Sequence, residues 1–201
     1  MKLVLNALTL PLIGMAVFCV NQNLQADVVW NEAVDGDLSS NPATPTFVGF
    51  NVGANTIIGS LSEPDGDEQD FLTFTLGPNQ FLTGLTLDAF SPEGVSFQGI
   101  NSGTTSFNPE FATAGNFLGL EFVTHEMLGT DMLPLLAAGG YGSIGFTIPL
   151  GPGNYSYVIQ ELTPGEFRNY QITFHVIPEP SSVGLFCLAG LLLSTRRGRR
   201  S

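Results

Sequence analysis

The run EPDGDEQDF places Glu63, Asp65, Asp67, Glu68 and Asp70 close together, immediately ahead of an apolar alternation. Carboxylates spaced two apart in a glycine-bearing loop can converge on one hard cation, because calcium takes about six to eight oxygen ligands. Glu63, Asp65, Asp67 and Asp70 are therefore the candidate calcium ligands. An EF-hand loop starting at Asp65 would need an acid at its twelfth position, where Leu76 stands, and flanking helices that are missing here. Two readings stay open: a calcium loop of another kind, or a solvated acidic turn that protects a strand edge. Asp35 and Asp37 form a second acidic pair, belonging to the same site or to none. No other cofactor is expected.

Other stretches imitate known chemistry without completing it. GYGSIG, Gly140 to Gly145, has the spacing of a dinucleotide-binding glycine loop, but that loop must follow a strand and open a helix, and here the order is reversed. HEMLG begins like a zinc-protease helix, yet Gly129 stands where the second histidine ligand is required. His125 reads as a partly exposed polar residue, and His175 lies opposite the apolar face of its strand. Without a nucleophile-elbow serine or a cysteine in the central region, nucleophilic catalysis has little material. A carboxylate pair could hydrolyse a glycoside, but no specific pair stands out. Trp30 either stacks on a sugar face or covers core or edge. No catalytic residue is assigned, and the chain is expected not to be an enzyme.

The elements that must position these groups read as short strands punctuated by Gly, Pro, Asn and Asp. In DFLTFTLGPNQFLTGLTLDAF, Leu72, Phe74 and Leu76 share one face; after the GPN turn, Phe81, Thr83, Leu85, Leu87 and Ala89 share another. The spacing predicts a hairpin. NYSYVIQEL and RNYQITFHVI repeat the pattern with Tyr155, Tyr157 and Ile159, then Tyr170, Ile172, Phe174 and Val176, and predict a second hairpin. Further strands are expected at 28–31, 46–51, 56–61, 95–100, 117–123 and 143–148. THEMLGTDMLPLLAAGG alone suggests one or two helical turns, crossing an end of the fold. The expected fold class is all-β: an antiparallel β-sandwich of jelly-roll character with one short helical segment, a closed barrel being the alternative.

Charge narrows the partners. Of 18 acidic residues only Glu179 lies outside residues 27–177, and of six basic residues only Arg168 lies inside, so this stretch carries a net charge of −16. Such a surface repels phosphate backbones and anionic headgroups, which argues against nucleic-acid partners, and it attracts divalent cations. Cys19 and Cys187 both lie outside the stretch, so the domain is expected to contain no disulfide.

The two ends read as addresses. Lys2, the apolar run Leu3 to Val20 and the small residue Ala26 form a secretory signal peptide over 1–26, with cleavage after Ala26. Residues 27–177 are one extracellular domain. Residues 178–201 contain Pro178, Glu179 and Pro180, then an uncharged segment from Val183 to Thr195, then Arg196, Arg197, Arg199 and Arg200. At about 1.5 Å per helical residue that segment covers about 20 Å of a bilayer core about 30 Å thick. It is a short transmembrane helix whose arginines anchor on the cytoplasmic side.

This three-part tail closely resembles the PEP-CTERM sorting signal of bacterial exported proteins. The resemblance implies recognition at Pro178–Pro180 by an exosortase-type membrane protease, transient association with the inner membrane, then release to the cell surface or an exopolysaccharide matrix. The segments WNEAVDGDLSS, DEQDFLTFTL and LGPGNYSYVIQE loosely resemble sandwich domains of PEP-CTERM proteins and bacterial pre-peptidase C-terminal domains, whose role is mostly accessory or unknown. The expected function is a non-enzymatic cell-surface or matrix protein, with a calcium-assisted carbohydrate-binding module as the alternative and a glycan-cleaving enzyme behind it.

Overall fold

A computed structural model describes residues 26–62, 66–163 and 165–179. The expected signal helix, the short transmembrane helix, Pro180 and the four arginines lie outside the described residues. Within them, no helix is long and apolar enough to cross a membrane.

Among the described residues, nine strands form two sheets. The first contains β1 (Asp27–Asn31), β3 (Gly53–Ser62), β9 (Phe167–Pro178) and β5 (Gln80–Ser91), in that order. The second contains β2 (Thr46–Phe47), β4 (Gln69–Leu76), β8 (Gly153–Glu161), β6 (Val95–Ser102) and β7 (Gly119–Thr124). The central pairings are antiparallel, as expected, but the edge pairs β1–β3 and β2–β4 run parallel. Of the expected helical turns, α2 (Leu133–Ala137) carries buried Leu133 and Leu136 and packs between β5 and β7, spanning an end of the sandwich.

Both expected hairpins are overturned. β4 and β5, joined by the GPN turn, lie in different sheets, as do β8 and β9. Each connection is an arch in which consecutive strands face each other across the core instead of lying edge to edge. Alternation is satisfied equally by either arrangement, because it demands one buried face and does not specify which strand pairs alongside. The apolar faces of Leu72, Phe74, Tyr157 and Ile159 from one sheet meet Ile57, Leu87, Ile172 and Phe174 from the other in one buried cluster. Phe74 and Phe174 lie 5.6 Å apart across this core.

The β5 pattern also shifts. Irregularities in its pairing between Leu82 and Gly84 and between Leu87 and Ala89 displace the register. Leu82, Leu85, Leu87 and Phe90 are buried, while Phe81 is only half-buried and Ala89 is exposed. Bulges insert an unpaired residue and flip the phase of a strict two-residue period. Residues 143–148, expected as a strand, form no ladder: Ile144 and Gly145 donate to the carbonyls of Phe117 and Leu118, and Phe146 to that of Ala137.

A second apolar cluster lies on the outer face of the five-stranded sheet, where Phe71, Phe97, Leu120 and Val158 pack with Phe117. The segment from Gly103 to Leu118 covers it, held by Ser106 N–H to Pro42 O at 2.8 Å and Ser156 Oγ to Thr105 O at 2.8 Å. This explains why β4 is buried on both faces over most of its length.

Candidate metal centre

At the open side of the sandwich, between the β1–β3 edge of one sheet and β4 of the other, three carboxylates meet. One oxygen each from Glu32, Asp37 and Asp70 lies within 4.8 Å of the others. Only Asp70 belongs to the set expected from sequence. Asp67 sits nearby in a two-way backbone bridge with Ser62, and its charge acts on both Asp70 and Glu32. Glu63 and Asp65 lie outside the described residues.

Local folding brings the N-terminal acids to this point. Asn31 caps the single turn α1 (Glu32–Asp35), accepting from Ala33 N–H at 3.1 Å, and Asp35 returns a bond from Asn31 N–H at 2.8 Å. Gly36 ends the turn at φ 94°, a left-handed conformation that favours glycine. Trp30 Nε1 donates to Gly36 O at 3.0 Å, fastening the turn, and the ring packs against the core instead of standing free. Buried Leu38 then plugs the sandwich, and Ser39 O accepts from Phe71 N–H at 2.8 Å. That bridge sets Asp37 beside Asp70.

The four-stranded sheet supplies a phenol. Tyr170 on β9 donates to Asp70 Oδ2 at 2.7 Å. Its close approach depends on Gly59, its partner on β3: a Cβ there would collide with the Tyr170 hydroxyl and lie 2.9 Å from Glu32 Cδ. Gly59→Ala is accordingly expected to destabilise the fold by about 1–3 kcal/mol through overpacking. Urea denaturation measures this; an unchanged midpoint would contradict the geometry.

Glu32 Oε2 accepts from Ser60 N–H at 2.7 Å, and Oε1 from Leu38 N–H at 3.3 Å. These bonds favour its charged form, but burial outweighs them and pushes the carboxyl up to about 7. Asp70 is fully buried. Burial first, then the charge of Glu32, raises its carboxyl well above the ordinary range. Burial and neighbouring Asp70 also raise the Tyr170 phenol, which stays a neutral donor.

Asp70 Oδ1 has no hydrogen-bond partner. Among the described residues, the other buried side-chain atoms in that condition belong to the neutral amides of Gln98 and Asn101. A buried carboxylate with an unpartnered oxygen and two further carboxylates beside it is costly unless it is protonated or a cation joins it. Hard oxygen donors without nitrogen or sulfur suit calcium, which accepts carboxylates in one- or two-oxygen modes and completes its shell with water. Magnesium, with its stricter octahedron, fits a fixed, half-buried trio less well.

Both histidines are occupied elsewhere. His125 Nδ1 donates to Phe90 O at 2.8 Å, and His175 Nε2 shares a 2.9 Å bond with Thr86 Oγ1. GYGSIG contributes a 3₁₀ turn over Gly140–Gly142 and opens no helix, as its order suggested.

Sequence reasoning missed Glu32 and the polar role of Tyr170, which reads as a core aromatic. The acidic stretch around Asp35–Asp37 is visible, but its meeting with β4 depends on the parallel edge pairing that no local pattern encodes.

No family model matches the chain, and no curated protein matches it. Among solved structures, the chain is similar to the pre-peptidase C-terminal domain of a collagenase from Bacillus anthracis. That likeness has a TM-score of 0.32 and 16% identity, covering 69% of this chain and 99% of the other.

Proposed function

We propose that this chain is an exported, non-enzymatic surface or matrix protein whose β-sandwich takes one calcium ion at Glu32, Asp37 and Asp70. The buried Asp70 carboxylate, with one oxygen unpartnered and two more carboxylates beside it, carries the reading. Calcium there would join the α1 turn to β4 and so tie the N-terminal edge of one sheet to the other. It would supply structural charge compensation.

The tail supports the exported half of the reading. The last described strand ends at Pro178, and Glu179 N–H donates to Asn79 O at 2.7 Å, so the first two residues of the Pro-Glu-Pro step lie at the edge of the described body. An exosortase-type protease acting there would release the sandwich whole. Val183 to Thr195 and the arginines that follow would hold the substrate at the inner membrane until then.

Protein recovered from its native host and stripped with chelator should gain thermal stability on adding millimolar calcium, and lose it again with chelator. Extracellular calcium modules bind with dissociation constants of about 10⁻⁴ to 10⁻³ M, so about 10 mM calcium contributes about 1.4–2.7 kcal/mol. Intact-mass measurement on the same material should give a chain starting at Asp27 and ending near Pro180. A melting temperature indifferent to calcium would refute the cation; a mass retaining residues 1–26 and the arginines would refute the export and processing.

A further inference from the structure

β4 presents consecutive residues to opposite faces of its sheet. Asp70 points inward to the carboxylate trio, and its neighbour Gln69 lines a separate cleft on the outer side. Ser40, Gly66, Glu68, Gln69, Asn108 and Glu110 line this cleft, whose volume is about 230 Å³. That is smaller than the roughly 300–1,000 Å³ of sites for drug-sized ligands, and suits a single ring.

The donor and acceptor set is mixed. Buried Gln69 donates through Nε2 to Asn108 Oδ1 at 3.4 Å, and Asn108 Oδ1 also accepts Glu110 N–H at 2.9 Å. These bonds fix the rim of the cleft and leave the Asn108 amide N–H groups and the Glu68 and Glu110 carboxylates available to a ligand. Carboxylates beside amides match adjacent hydroxyl groups, which donate to the first and accept from the second.

The turn that supplies Asn108 and Glu110 also carries Phe111, held by its N–H to Asn108 O at 3.1 Å. Phe111 is 84% exposed, more than any other large hydrophobic residue described. A ring displayed in this way next to a polar cleft offers an apolar face to the C–H side of a sugar.

From these observations we infer that the cleft and Phe111 form a subsite for one ring of a neutral polysaccharide. Charge selects this occupant. Glu68 and Glu110 would repel a uronate, and a second copy of a domain carrying −16 would be repelled as a whole. Two carboxylates are also too few to hold calcium here, whereas the trio across β4 supplies three. The inference rests on the domain facing the exterior, and does not require the cation.

The test is native affinity electrophoresis of the protein recovered from its host, in gels containing dextran, mannan or hydroxyethyl cellulose, with alginate as the anionic comparison. At least one neutral polymer should retard the protein and alginate should not. Phe111→Ala should raise the apparent dissociation constant about tenfold, a loss of about 1.4 kcal/mol. Because Phe111 is so exposed, its removal leaves folding intact, and Glu110→Gln provides a second cleft variant expected to weaken retardation in the same gels. Val34→Ala, which removes an exposed side chain outside the cleft lining, should leave retardation within about twofold of the parent. Free migration in all three neutral polymers, retardation by alginate alone, or equal retardation of Phe111→Ala would each overturn the inference. If calcium still raises the melting temperature in that event, the cation reading stands while the cleft falls; the converse pattern separates them in the other direction.

Discussion

Replacing Arg168 by Met should destabilise the sandwich by about 3–5 kcal/mol, because it strands a buried carboxylate. Arg168 is the only base in a domain with 17 acids, and it is fully buried. Its Nε donates to Glu161 Oε2 at 2.7 Å, with both side chains essentially inaccessible. Nη1 donates to Pro92 O, and Nη2 reaches Thr163 Oγ1 at 3.4 Å. The guanidinium also lies 5.1 Å from the Phe90 ring.

Glu161 meanwhile accepts from the N–H groups of Leu162 and Thr163, at 3.0 and 2.7 Å, and so organises the arch between β8 and β9. Arg168 therefore joins β8, β9 and the end of β5 at one corner. For a domain of this size the loss lowers the melting temperature by on the order of 10 °C. Arg168→Lys should recover only part of it, since an ammonium cannot replace a planar fork contacting three partners. The double variant Arg168→Met with Glu161→Gln should recover more than Arg168→Met alone, because it removes the stranded charge. A midpoint for Arg168→Met within about 1 kcal/mol of the parent would mean that the corner is held by packing alone.

Asp70→Asn should have the opposite sign in metal-free protein. The amide keeps an oxygen to accept from Tyr170, discards a buried negative charge and gives Glu32 a neutral neighbour, for a gain of about 1–3 kcal/mol near pH 8. The same change removes a calcium ligand, so the melting-temperature rise with calcium should vanish. A substitution that stabilises the metal-free protein while abolishing its response to metal is the signature of a site built around an absent charge. If Asp70→Asn lowered metal-free stability and left the calcium response intact, the carboxylate trio would not be that site.

The parent's pH profile follows from the same groups. Glu32 is raised from an ordinary 4.5 to about 7, so between those values the folded protein holds a proton that the unfolded chain has released. Stability of the metal-free protein thus falls as pH rises from about 4.5 to about 7, and Asp70, also raised, adds to the fall. The interval for Glu32 corresponds arithmetically to about 3 kcal/mol, which its partial exposure screens to on the order of 1–2 kcal/mol. Saturating calcium should flatten the decline, because the ion takes the place of the proton. Urea midpoints measured from pH 4.5 to 8, with and without calcium, check the sign. A metal-free stability that rises across that interval would exclude the assigned shifts.

Some of the candidate site was visible in the chain and some was not. Asp70 stood out because it belongs to a dense acidic run ahead of a strand. Asp37 was visible as half of the Asp35–Asp37 pair, which the sequence left as belonging to the Asp70 site or to none. Glu32 and Gly59 carried no signal: one is an ordinary acid in a four-residue turn, the other an ordinary glycine within a strand. Their significance arises from Tyr170 reaching across the core, a contact between residues one hundred positions apart. Arg168 was conspicuous as a lone base, yet composition could not say that Glu161 would be buried beside it.

Sequence alone determined that the domain is built from strands, because a two-residue alternation of apolar residues runs through β4, β8 and β9 and between the bulges of β5, and burial of that face stabilises any arrangement of them. It also determined the acidic balance of the domain, which follows from composition. Tertiary structure decided which strands became neighbours. A hairpin and an arch bury the same alternating residues, so only the packing of one whole sheet against the other distinguishes them, and with it which distant acids share a pocket.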